Sequence, residues 1–108
     1  ELGVGTSTPA STLEINGSFA AAFKTPLDAG TTNPNGTGMV WRYTTGTGTI
    51  TLPGASTCAT RIYVILNQTG STRTISTYRD LATNNQTTIG SSVALWVMSD
   101  GSQWWQIK

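Results

Sequence analysis

Near the end of the chain, Val93-Ala-Leu-Trp-Val-Met-Ser-Asp-Gly-Ser-Gln-Trp-Trp-Gln-Ile-Lys108 places two apolar-rich runs on either side of an Asp-Gly pair. That arrangement is the strongest short-range signal for a β-hairpin with a two-residue turn. With Asp100 and Gly101 as the turn, Ser99 faces Ser102, Val97 faces Trp104 and Trp96 faces Trp105. Alternate side chains take opposite faces, so one face carries Leu95, Val97 and Trp104 and the other carries Trp96, Met98, Trp105 and Ile107. An antiparallel hairpin ordinarily has one wet face. Here both are apolar, and the second needs a cover: another sheet, a neighbouring subunit or a ligand.

The rest of the chain is written in the same idiom. Thr and Ser together number 31 of 108 residues, while charged residues make up 10%. That balance favours extended structure over solvated helices, and the length fits one domain with a modest core. Turn signals recur at Thr8-Pro9, Asn16-Gly17, Thr25-Pro26, Asn33-Pro-Asn-Gly36, Pro53-Gly54, Thr69-Gly70, Asn84-Asn85, Gly90 and Asp100-Gly101. Between them the pattern predicts strands over 12–15, 18–24, 39–45, 49–52, 61–67, 73–78, 86–89, 92–99 and 102–108. Phe19, Ala21 and Phe23 alternate, which makes 18–24 a strand despite its helical composition, whereas Pro26-Leu-Asp-Ala-Gly30 reads as a turn. Ile62-Tyr-Val-Ile-Leu66 is apolar at consecutive positions, the mark of a central strand covered on both faces. Several short strands at this spacing imply an all-β fold, an antiparallel β-sandwich or jelly-roll-like domain over 18–108. Residues 1–17, rich in Gly, Thr and Ser, form an extended N-terminal arm. Its backbone groups would find partners on an exposed sheet edge, in its own or a neighbouring subunit.

Charge excludes some partners. The net charge is +1, and the six basic residues are scattered, leaving no footprint for nucleic acid or an anionic membrane. No apolar run approaches the roughly 20 residues of a membrane-spanning helix. A first residue of Glu1 rather than Met fits a processed N-terminus. Cys58 stands alone, which suits a buried thiol better than an intersubunit bridge. Asn16, Asn35, Asn67 and Asn85 each open an Asn-x-Ser/Thr tripeptide, a glycosylation acceptor only in a glycosylating secretory pathway.

Catalysis finds little to work with. There is no His, one Cys, and five carboxylates dispersed at Glu1, Glu14, Asp28, Asp80 and Asp100. Zinc ligand sets and calcium-loop spacings are absent from the sequence, and no cofactor is expected. The reading is a non-enzyme.

The order of motifs resembles a known family. Leu2-Gly-Val-Gly-Thr-Ser-Thr-Pro9 followed by Leu13-Glu-Ile-Asn-Gly17 is similar to a Gly-Ile-Gly-Thr…Pro…Leu-x-Val-Asn-Gly segment of phage fibre proteins and Bacteroidetes surface proteins. Thr49-Ile-Thr-Leu-Pro53, Arg61-Ile-Tyr-Val-Ile65, Arg73-Thr-Ile75 and Ser99-Asp-Gly-x-x-Trp104 resemble, in order, the C-terminal module of the same proteins. The resemblance implies a non-enzymatic β module of an extracellular fibre, often trimeric in phages. Trp96 departs from the small polar residue usual at that outward position, which favours a contact surface there.

Three functions are compatible with these features to different degrees. The leading expectation is a self-associating structural subunit of a phage fibre or bacterial surface filament, located outside the cell, on its surface or on a virion. Its partners would be copies of itself, as a trimer or helical filament. The interface would comprise Trp96, Met98, Trp105 and Ile107, with Leu2 and Val4 of the arm exchanged between subunits. The alternative is an adhesin module whose exposed Trp96 and Trp105 stack on a cell-surface glycan; Trp41 and Trp104 are instead expected in the core. A threonine ladder over Thr45–Thr51 is too short for an ice-binding face.

Overall fold

A computed structural model describes residues 2–108. It contains nine strands: β1 (Leu2–Val4), β2 (Leu13–Ile15), β3 (Phe23–Ala29), β4 (Val40–Gly46), β5 (Ile62–Asn67), β6 (Arg73–Arg79), β7 (Asn85–Ile89), β8 (Val93–Ser99) and β9 (Trp104–Gln106), with one 3₁₀ turn at Ala55–Thr57. The fold is all-β, as the spacing of turn signals predicts. Strands β3 to β9 form one sheet in the order β3-β4-β5-β8-β9-β6-β7. It is mixed rather than antiparallel: β3–β4, β4–β5 and β9–β6 run parallel, while β5–β8, β8–β9 and β6–β7 run antiparallel.

The inner face of this sheet makes the core. Trp41 and Tyr43 of β4, Tyr63 and Ile65 of β5, Leu95 and Val97 of β8, Trp104 of β9, Ile75 and Tyr78 of β6 and Ile89 of β7 are all buried. The period of two breaks only between Ile75 and Tyr78, where β6 shifts register against β7. Ile50, Leu52, Ala55 and Cys58 join the cluster. They belong to the segment that leaves β4 at Gly46 and crosses to β6, where Ile50 bridges Ile75. The crossing runs close over the end of β3, and a Cβ on Gly30 would lie 2.6 Å from the Gly48 Cα, so the backbones can meet only without side chains.

The indole, phenol and amide groups brought into the core are satisfied. Trp41 Nε1 donates to the Gly38 carbonyl at 3.0 Å and Trp104 Nε1 to the Pro53 carbonyl at 2.9 Å. The Tyr43 hydroxyl donates to the Thr32 carbonyl at 2.8 Å, and burial pushes its pKa well above the ordinary phenol value. Asn67, fully buried at the end of β5, donates to the carbonyls of Ser71, Ile89 and Gly90 at 2.9–3.0 Å and accepts from the Thr69 backbone N–H and hydroxyl. Its amide thus ties β5 to the ends of β6 and β7, and of the four glycosylation tripeptides this one is closed.

Several expected boundaries are corrected. Strand β3 begins where the predicted 18–24 strand ends and runs through Pro26, where the local sequence predicts a turn. It lies at the sheet edge, where a missing N–H is tolerated, and its register shifts between Lys24 and Leu27 accommodate the proline. Residues 18–22 form no strand, and Phe19 is 69% exposed. The predicted 49–52 strand reduces to the single bridge at Ile50. The hairpin turn is wider than two residues: Ser99 pairs with Trp104, Met98 with Trp105 and Val97 with Gln106. The Asp100 carboxylate sets this width by accepting the backbone N–H groups of Ser102 and Gln103, both at 2.8 Å. The slip is two residues, an even number, so every side chain keeps its predicted face.

The arm is also revised. Among the described residues β1 does not lie on the edge of the large sheet; it pairs in parallel with β2, Leu2 opposite Leu13 and Val4 opposite Ile15, as a separate two-stranded ribbon. Glu1 lies outside the described residues.

Candidate association surface

The expected interface residues fall on two surfaces. The first is the outer face of the large sheet. Register aligns Phe23, Val40, Val64 and Trp96 in one row across β3, β4, β5 and β8. It aligns Ile62, Met98 and Trp105 in a second row across β5, β8 and β9. Ile107 follows beside Trp96, whose carbonyl accepts the Ile107 N–H at 2.8 Å while its own N–H donates to the Lys108 carbonyl at 2.9 Å. The structure therefore brings Trp96, Met98, Trp105 and Ile107 together on one face, opposite Leu95, Val97 and Trp104. Val64, between its neighbours in the first row, is 5% exposed, whereas Trp96 is 36% and Ile107 43% exposed. β5 is the central strand its apolar run predicts, covered fully on its inner side and in part on its outer side.

A groove of about 290 Å³ opens on this face, lined almost wholly by apolar surface of Met98, Trp105 and Ile107 with Thr60, Ser99 and Asp100 at its rim. Trp105 is held in place from two sides. Its Nε1 donates to the Asp100 carboxylate at 2.7 Å, and the Arg79 guanidinium lies 5.9 Å from the ring centroid, a cation–π distance. Hydrogen bonds from the Gln103 backbone, the Trp105 indole and the Ser102 backbone hold the Asp100 carboxyl below the usual aspartate range. Arg79 Nη1 donates to the Thr83 carbonyl at 2.8 Å, and its Nε is buried without an acceptor. Asp100 was legible as a turn residue, but its second role as the indole's acceptor was not. Nor was Arg79, which reaches Trp105 only because β6 pairs with β9, 26 residues apart in sequence.

The second surface is the ribbon. Leu2, Val4, Leu13 and Ile15 share one of its faces by register and alternation, and all four are exposed, at 59%, 50%, 54% and 36%. Leu2 and Val4 were expected to associate; Leu13 and Ile15 were read as strand residues without being placed beside them. The two ends of the ribbon are held by the Asn16 N–H donating to the Val4 carbonyl at 2.8 Å and the Leu2 N–H donating to the Thr12 carbonyl at 2.6 Å. A two-stranded sheet is at best marginal alone in water, and strands of three residues offer few ladder bonds.

Two further grooves, of about 310 Å³ beside Leu52–Ala55, β6 and the β8–β9 turn, and about 530 Å³ beside Phe19, Gly38 and Arg61, have mixed linings. Among the described residues no group of three His, Cys, Asp or Glu side chains comes together, and no helix is long and apolar enough to cross a membrane. Cys58 is buried, with Sγ 3.6 Å from the Gly54 carbonyl. The chain matches no family model, no curated protein and no solved structure.

Proposed function

We propose that the chain is a self-associating structural module of an extracellular fibre, from a phage or a bacterial surface filament, assembled by apolar burial and strand pairing between copies. The observation that carries this reading is the pair of uncovered apolar surfaces: the four-residue aliphatic strip of the ribbon and the outer face at Trp96, Met98, Trp105 and Ile107. Contiguous apolar patches of this kind mark interaction sites, and copies of the same chain cover them without a foreign partner. The motif order of phage fibre and Bacteroidetes surface proteins, noted above, points the same way.

Light scattering on size-separated protein, with negative-stain imaging, tests the reading. Discrete trimers or filaments are expected, weakened by Trp96→Ser with Trp105→Ser and by deletion of residues 2–8, with each variant still folded. A monomer at every concentration would sink it. A second reading, a glycan-binding adhesin, draws on the partly exposed Trp96 and on Trp105 beside the acceptor-free Arg79 Nε. It would take over if a monomer bound immobilised glycans and lost them on the same double substitution.

A further inference from the structure

The chain contains two Asn-Gly pairs, Asn16-Gly17 and Asn35-Gly36. Glycine leaves its backbone nitrogen unshielded by a side chain, so that nitrogen can reach the preceding asparagine Cγ and close a succinimide ring. The two pairs sit in different surroundings. Asn35 is anchored from behind: Asn33 Oδ1 accepts the Thr51 N–H at 2.8 Å, and Pro34 is buried. Its own side chain lies on the surface, where Oδ1 accepts the Thr37 N–H at 2.9 Å and the Thr37 hydroxyl at 2.6 Å. These two donors polarise the amide carbonyl and stand where negative charge collects when a nucleophile adds to Cγ. Nδ2 is held by one longer bond, 3.3 Å to the Asn33 carbonyl. Among the described residues the Gly36 N–H meets no acceptor. The Arg61 guanidinium rests against Gly36, since a Cβ there would lie 3.4 Å from Nη1 and 3.6 Å from Nη2. A cation so placed favours the amide anion, the form in which the Gly36 nitrogen attacks. A Cβ on Gly17, by contrast, would meet nothing within 4 Å.

We propose that Asn35 is a site of self-modification, converted to aspartate and isoaspartate with water as the co-reactant. The Gly36 nitrogen gives its proton to solvent and bonds to Asn35 Cγ, and the carbonyl electron pair moves onto Oδ1 against the Thr37 donors. That pair returns as the Cγ–Nδ2 bond breaks, and Nδ2 takes a proton from solvent and leaves as ammonia. Water then opens the succinimide at either carbonyl. Both products carry a carboxylate at position 35, and the isoaspartyl product also lengthens the backbone by a methylene. The sum is an amide plus water giving an acid plus ammonia, with nothing oxidised or reduced. The new charge takes the net charge from +1 to zero. The longer backbone falls between buried Pro34 and the start of β4 at Val40.

Peptide mapping by mass spectrometry after incubation at mildly alkaline pH reads the conversion, with Asn16 as an internal control. In the folded chain Asn35 should convert about fivefold faster than Asn16, the scale of a unit charge a few ångströms from the reacting atom in aqueous surroundings. In concentrated urea, where the shared Asn-Gly sequence alone counts, the two should convert at similar rates. Arg61 is exposed, so its side chain can be changed without opening the core. Arg61→Gln should slow Asn35 by about the same fivefold factor and leave Asn16 unchanged, whereas Arg61→Lys, which keeps the charge, should retain most of the rate. Thr37→Val, which removes one of the two donors, should slow Asn35 as well, and circular dichroism checks that each variant is folded. A folded chain in which Asn35 converts no faster than Asn16, or a rate at Asn35 indifferent to Arg61→Gln, would overturn the proposal.

Discussion

Trp104 and Trp105 are adjacent in sequence and alike in chemistry, yet they belong to different environments. Trp104 points inward, 4% exposed, its ring 5.5 Å from Tyr63 and its indole N–H held by a backbone carbonyl. Trp105 points outward, half-buried, its indole N–H held by a carboxylate at the surface. Strand pleat alone separates them. The inner face is finished: apolar groups are packed and polar handles are paired. On the outer face the apolar groups are positioned and uncovered, and the polar contacts serve to orient them. One face holds the fold together and the other leaves apolar side chains open to solvent.

The contrast can be broken in order of severity. Trp104→Ala should cost about 3–5 kcal/mol, the range for truncating a buried aromatic, read as a large drop in the denaturation midpoint. Asn67→Leu, which leaves the Ile89, Gly90 and Ser71 carbonyls without their donor, should cost about 1–3 kcal/mol by the same measurement. Trp105→Ser should cost the monomer about 1 kcal/mol or less, with its effect falling on assembly instead. If Trp105→Ser proves as damaging to the isolated subunit as Trp104→Ala, the two faces do not differ in the way described. The mildest effect is one of pH. Asp80 and Asp100 are both held below the ordinary aspartate value, chiefly by hydrogen bonds from their own turns. A depressed carboxyl contributes stability that is present above its unfolded pKa, about 3.9, and is lost as pH falls through the lower folded value. Protection of the amides of the two turns, taken relative to the intrinsic exchange rate at each pH, should therefore stay constant down to about pH 4 and fall only below it; earlier loosening would show that the carboxylates do not shape these turns.

Much of this was legible because period-two patterning survives mixing with other signals. The hairpin could be read down to its faces even though its register was two residues out. What misled was local chemistry standing in for position. Pro26 and Asp28 look like a turn when nothing says that their strand lies at an edge, and Phe19, Ala21 and Phe23 alternate without a neighbour to pair with. Parallel pairing leaves no short-range mark, so neither the ribbon of β1 with β2 nor the pairing of β6 with β9 could be foreseen, and with the latter went Arg79. The uncovered apolar face was visible as an excess of apolar residues in the hairpin.

Strand β9, only three residues long, sits between β8 and β6 in the middle of the large sheet. Take it away and two pieces remain, β3-β4-β5-β8 and β6-β7, joined across the gap by the bridge of Ile50 to Ile75 and the hydrogen bonds of the Asn67 amide. It is also the last of the nine strands to leave the ribosome. The sheet is assembled like an arch whose closing stone is delivered at the end. A nascent chain that stops short of Trp104 keeps two open edges and an uncovered Tyr63, the kind of species that chaperones retain and proteases remove. Only chains synthesised through β9 can close the sheet, so the cooperativity of seven strands waits on a segment of three residues.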